Sequence, residues 1–224
     1  LAGKLPVTGL LTGMSFVLIL AFSIPLGIFT ARHAGGRLDR AMTAVNQVLM
    51  AIPAFVTGIL LTYVFGLVLR WFVPGNYVSP GDNFGGSLWY FLFPAVSIAL
   101  PRVAMTVKML RSSILSELQK DYVRTSHSRG NSDRATLYRH VLRNAMGPVV
   151  SFLAMTVADI VAGSVVIEQV FSLPGLGRML LTSIANRDYP VVQAVVVIVA
   201  FWVVLVNLLA DLINQRLGPR LRLT

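Results

Sequence analysis

The sequence predicts an all-α, polytopic bundle of five membrane-crossing helices, and three observations predict it. Of 224 residues, 55% are hydrophobic and only 12% charged, about half the charged share of an ordinary soluble domain. A mean hydropathy of +0.73 leaves too little polar surface to face water. Apolar runs long enough to cross a bilayer core recur along the chain, and Lys and Arg are shared very unevenly among the connections between them.

The first run extends from Thr8 to Ala31 and carries no charge. The second, from Val45 to Val73, contains Pro53, and the third, from Ser87 to Val107, contains Pro94 and Pro101. Proline is tolerated inside a span where neighbouring helices satisfy the carbonyls it frees. The fourth runs from Pro148 to Val170 with Asp159 inside it, and the fifth from Pro190 to Asn214 with Asn207 and Asp211.

Basic residues stay on the cytoplasmic side, so the short connections orient the spans. The stretch from Trp71 to Pro101 holds no Lys or Arg, whereas Arg102 to Arg143 holds nine. The second is therefore cytoplasmic, together with Arg32, Arg37 and Arg40 and the C-terminal Arg216, Arg220 and Arg222. Residues 76–89 and the Phe171 to Asp188 loop face outward. Five alternating spans leave the N-terminus outside, and the chain opens at Leu1 without a leader. An upstream sixth helix, with both ends inside, is expected on this count.

The connection between spans three and four is long for a join that a tight turn could make. Asp121 to Ser128 can form two turns of helix, Gly130 ends them, and Asn131, Ser132 and Asp133 can cap the next helix. From Arg134 to Asn144, Leu137, Val141 and Ala145 share one face. The segment reads as helix, glycine break, helix.

Here the chain resembles a known family. Asp121-Tyr122-Val123-Arg124-Thr125-Ser126, then Gly130, then Arg139-His140-Val141-Leu142-Arg143-Asn144-Ala145 and Pro148, are similar to the cytoplasmic loop of permease subunits of binding-protein-dependent ABC importers, dipeptide, oligopeptide and nickel branch. Glu168 to Gly177, Asn186 to Pro190, Asn207 to Asp211 with Pro219-Arg220, and the opening Leu5-Pro6-Val7-Thr8 resemble the same branch, so the likeness covers nearly the whole chain. It implies a type I ABC importer permease fold, one transmembrane domain over residues 1–224, and an ATPase-coupling loop at residues 116–146. The family's Glu-Ala-Ala, three residues, Gly pattern falls on Arg124, Thr125, Ser126 and Gly130. The acid is replaced, so its role does not carry over.

The resemblance further implies a multi-pass subunit of the bacterial inner membrane that imports peptides or a related small solute. Its partners would be a second homologous permease, two ATP-binding subunits and an extracytoplasmic solute-binding protein. ATP and magnesium would be bound by the partner subunits, with no cofactor in this chain and no catalysis by it. Asp121, Tyr122, Arg124, Thr125, Ser126, Gly130, Arg139 and His140 would form the coupling surface. A rigid helix projecting from the bundle can convert closure of an ATPase pair into tilting of the spans, and Gly130 would permit a sharp turn that a side chain would obstruct. The same basic segment could instead lie on anionic lipid headgroups.

Polar groups inside spans are costly and so become candidate pathway residues. Asp159 either faces the bundle interior or pathway, or partners a polar group on another helix. Glu168 reads as a loop anchor before a substrate ligand, and Asp211 as a partner for Arg216. Pro174-Gly175-Leu176-Gly177 lacks the lysine and strand of a phosphate-binding loop and reads as a turn before a short outer helix. Gly9 and Gly13 form a weak helix-packing pair.

Other chemistries are poorly supported. There is no cysteine, which excludes disulfides and thiol catalysis. His33, His127 and His140 lack metal-ligand spacing and sit among basic residues. No nucleophile motif marks an intramembrane protease. Tyr122 and Tyr138 are the only aromatics in the basic segment, against nucleic-acid binding. An ion-coupled transporter using Asp159 or Asp211 lacks an inverted repeat to support it, and a non-transporting scaffold would not need polar residues within its spans.

Overall fold

The computed structural model describes residues 3–217, with only the backbone described for Ala210 and residues 214–217. The described residues form nine α-helices: α1 (Leu5–Arg32), α2 (Arg37–Ala51), α3 (Ala54–Leu61), α4 (Phe84–Leu118), α5 (Asp121–Ser128), α6 (Asp133–Thr136), α7 (Leu142–Val170), α8 (Leu176–Ala185) and α9 (Tyr189–Leu217). Widened π-helical turns extend α3 through Thr62–Val68 and join α6 to α7 through Leu137–Val141. Four helices, or five if the bent pair α2 and α3 counts as one, have the length and apolar character to cross a membrane.

The helix α4 forms the centre of the bundle, packed by α1, α2, α3 and α7. Asn83 caps its start, its side chain accepting from Gly86 N at 2.9 Å. Both internal prolines, Pro94 and Pro101, are buried. Along α1 the buried positions Thr8, Leu11, Ser15, Ile19, Ser23 and Gly27 recur every three or four residues and face inward. Ser15 and Thr30 return their hydroxyls to the carbonyls of Leu11 and Leu26 at 2.8 and 2.9 Å, which lets polar residues sit in an apolar seam. At Gly27 a Cβ would stand 2.7 Å from Leu110 Cδ2, so glycine sets the approach of α1 to α4.

Two expectations are corrected. Val45 to Val73 is not one straight helix: the chain breaks at Pro53, and the helices on either side meet at 94°, as a broken span or a re-entrant loop. Proline removes a donor and pushes Ile52 into extended geometry at φ −86°, ψ 119°. Pro94 and Pro101 stay inside a continuous α4, as Pro25 does inside α1 and Pro148 inside α7, whereas Pro53 stands at the break between α2 and α3.

The third span is also longer than Ser87 to Val107. It runs 35 residues, about 52 Å at 1.5 Å per residue, and so outreaches a hydrocarbon core of about 30 Å. Arg102, counted from sequence among the cytoplasmic charges, therefore lies within a spanning helix. Lys120, Arg124, Arg129, Arg134, Arg139 and Arg143 still follow α4, so the charge bias behind the expected orientation falls after that helix.

Candidate functional site

The segment from Glu117 to Val141 is built as a compact elbow at the end of α4. Lys120 is extended, ending that helix and starting α5. The inner side of the elbow buries Val123, Ser126, Thr136, Leu137 and Val141. Ser126 Oγ and Thr136 Oγ1 are 2.9 Å apart, and Asn131 Nδ2 donates to Ser126 Oγ at 3.2 Å. Ser132 accepts from Ala135 N and caps α6. Gly130 has φ +80° and would meet nothing within 4 Å on gaining a Cβ. Its glycine is required by the left-handed backbone, not by lack of space, which corrects the steric expectation.

Tyr122 is half-buried, and its hydroxyl donates to Glu117 Oε2 at 2.8 Å. Burial pushes its phenol above the ordinary value; a hydrogen bond with Asn144 opposes this and Glu117 reinforces it. Asp121, Arg124, Thr125, Arg139 and His140 are exposed, whereas Ser126 is turned inward and ties the elbow together. The exposed set thus forms an outer surface with a rigid backing. The fourth span begins directly from this elbow, through the π-helical turn that contains Arg139 and His140.

At the opposite end of α7, Glu168 is fully buried at 0% exposure. Thr8 Oγ1 donates to its Oε1 at 2.6 Å, and Arg178 N donates to its Oε2 at 3.0 Å. Leu176 N in turn donates to Thr8 Oγ1 at 2.9 Å. One carboxylate therefore joins the start of α1, the end of α7 and the first turn of α8, where the helix dipole favours a negative charge. A Cβ at Gly175 would run into that carboxylate, and one at Gly177 into Val165 of α7. The glycines of the Pro-Gly-Leu-Gly stretch are there for close packing.

Asp159 lies exposed on α7, outside the core that the described residues form. Asn207 and Asp211 are also exposed, on α9, and the expected Arg216 side chain falls outside the described residues, as does Pro219-Arg220. Among the described residues, no group of three His, Asp or Glu side chains converges as a metal site would need.

Sequence reasoning missed two features. Asp39, buried at 4% exposure, accepts a two-pronged bond from Arg111, Nε to Oδ1 at 2.8 Å and a terminal nitrogen to Oδ2 at 2.7 Å. Gly35 N adds a third bond at 2.9 Å, fastening the α1–α2 turn to α4. A lone acid among Arg32, Arg37 and Arg40 was the signal available. The second is Arg102, whose guanidinium reaches α7 so closely that a Cβ on Gly163 would lie 3.8 Å from it.

Residues 23–223 match the family model described as binding-protein-dependent transport system inner membrane component. The chain is 33% identical over 222 residues to a probable peptide ABC transporter permease protein, y4tP, of Sinorhizobium fredii, covering 99% of this chain and 71% of that one. It is 35% identical to the oligopeptide transport system permease protein AppB of Bacillus subtilis, over 97% of this chain and 70% of AppB. Identity to the nickel import system permease protein NikB of Staphylococcus aureus is 32%, over 97% of this chain and 63% of NikB. Among solved structures, an inward-facing conformation of the MetNI methionine ABC transporter superposes with a TM-score of 0.74 at 17% identity, covering 95% of this chain and 93% of that one. That likeness establishes the fold.

Proposed function

Since the chain belongs to the family of inner membrane components of binding-protein-dependent transport systems, and is thus a permease subunit of an ABC importer, we propose that its solute is a peptide. The names of y4tP and AppB support a peptide, against the nickel named for NikB. The permease domain spans residues 1–224, pairs with a second homologous permease, and rests on two ATP-binding subunits that hold ATP and magnesium. An extracytoplasmic solute-binding protein delivers cargo to residues 76–89 and 171–188.

The observation that carries the mechanism is the elbow's position between two spans. It hangs from the end of α4 and leads straight into α7, with its inner side buried and cross-bonded. A push on Asp121, Tyr122, Arg124, Thr125, Arg139 and His140 is therefore transmitted to both spans as a tilt, while Ser126 and Gly130 keep the elbow stiff. Because α4 and α7 pack on each other, tilting them changes which side of the membrane the space beside them opens to.

The test is ATP-driven peptide uptake by the assembled importer in liposomes. Arg124→Glu together with Thr125→Arg, both on the outer side, is expected to lower ATPase copurification and uptake by about tenfold or more. Uptake and copurification at the unmodified rate would remove the coupling surface from these residues.

A further inference from the structure

Most open helix faces of this chain are what lipid requires. The exposed residues of α1 between Gly13 and Phe29 are Gly13, Val17, Ala21, Phe22, Pro25 and Phe29, and those of α9 from Val196 to Val204 are likewise all apolar. The adjoining open faces of α4 and α7 differ. On α7, Ser151, Met155, Asp159, Ala162, Val166 and Gln169 recur at helical spacing as one exposed stripe. On α4, Met105, Lys108, Ser112 and Ser116 do the same.

Where the two faces meet sits Arg102. Its guanidinium lies against Gly163, one helical turn from Asp159 and near the middle of the apolar run of α7. Its Nε is buried without a hydrogen-bond partner, and among the described residues the guanidinium makes no hydrogen bond or close ion pair. Asp159 acts on it only through space. A permanently charged fork of five donors in an apolar helix, with Asp159 acting on it only through space, has unused hydrogen-bond donors to offer a partner from outside the chain. Its planar donors match a carboxylate two-pronged.

Resting on the peptide reading above, we infer that the α4–α7 face lines a hydrated solute pathway, where Arg102 receives the carboxylate of a passing peptide and Asp159 faces its cationic groups. Gly163 leaves the guanidinium uncovered on this side. The paired signs suit a zwitterion, and Arg102 opposes entry of a bare divalent cation.

Two measurements test this on the assembled importer during ATP turnover. The chain has no cysteine, so a single introduced thiol is its only one. Ala162→Cys, on the polar stripe, is expected to react with the anionic reagent sulfonatoethyl methanethiosulfonate about tenfold faster than Ala21→Cys on the apolar side of α1. Adding Arg102→Gln slows that anionic reagent and speeds the cationic trimethylammonium analogue. Equal inertness of both thiols, or no change of charge preference with Arg102→Gln, overturns the inference.

The second measurement compares uptake of tetra-alanine with tetra-alanine amide. Wild type is expected to favour the free acid, Arg102→Gln to lose about tenfold of that preference, and Arg102→Lys to recover part of it. The binding protein meets the same two peptides in each preparation, so a changed ratio belongs to the permease. An unchanged ratio in Arg102→Gln with peptide uptake intact overturns the inference and spares the peptide reading. Uptake of neither peptide by wild type, with ATP turnover intact, overturns the peptide reading and the carboxylate role together.

Discussion

Glu168 and Arg102 are both ionisable, both within helices that cross the membrane, and held under opposite conditions. Glu168 at the outer end of α7 has each carboxylate oxygen engaged, one by Thr8 and one by Arg178 N. Arg102 in α4 lies against a glycine with its Nε buried and unpartnered. A charged group removed from water is tolerable when its hydrogen bonds are replaced inside the fold. The first group meets that condition and serves as a joint between three helices; the second does not, and is kept for something that arrives.

The contrast can be tested at three strengths. Removing the joint has the largest effect. Glu168→Ala strands the Thr8 hydroxyl and the Arg178 amide and opens a void beside Gly175, and should lower stability by about 3–5 kcal/mol, read as a fall in melting temperature of the detergent-purified complex. A change under about 1 kcal/mol would mean that the joint is dispensable.

A smaller effect is expected at the other end of α7. Gly130→Ala places a side chain on a left-handed residue with open space around it, a strain of about 1–2 kcal/mol confined to the elbow. Protease susceptibility between Arg129 and Arg134 should rise while the melting temperature of the spans barely moves. A global loss matching Glu168→Ala would show that the elbow and the joint unfold as one unit.

The smallest effect is expected at Arg102. Arg102→Met should leave the melting temperature unchanged or raise it slightly, because it removes a buried Nε donor that no bond within the chain satisfies. Destabilisation of the size seen with Glu168→Ala would erase the distinction between the two sites and make Arg102 structural.

Much of this architecture was legible beforehand. The apolar runs located the helices long and apolar enough to cross a membrane. The helix, glycine, helix reading of residues 121–144 matches α5, Gly130 and α6 with its continuation into α7. The outer turn before α8 follows Pro174 as expected. What escaped notice depended on neighbours. Pro53 and Pro94 have the same local chemistry, yet only Pro53 stands at a break, and Pro94 lies buried inside a continuous helix. Ser126 and Thr125 are adjacent and equally polar, and only the pairing of Ser126 with Thr136 shows which one turns inward.

Hydropathy acts on each segment separately, through transfer between water and lipid, so the apolar helices and the polar elbow between two of them could be read from the chain alone. The role of each polar group inside the membrane depends instead on partners distant in sequence: Thr8 is 160 residues from Glu168, and Asp39 is 72 from Arg111. No local pattern encodes those distances. Packing α1, α2, α4, α7 and α8 together decided that Glu168 and Asp39 would be satisfied, that the Arg102 Nε would not, and that Asp159 would stand exposed on α7, since a hydrogen bond exists only where the fold brings both of its ends within about 3 Å.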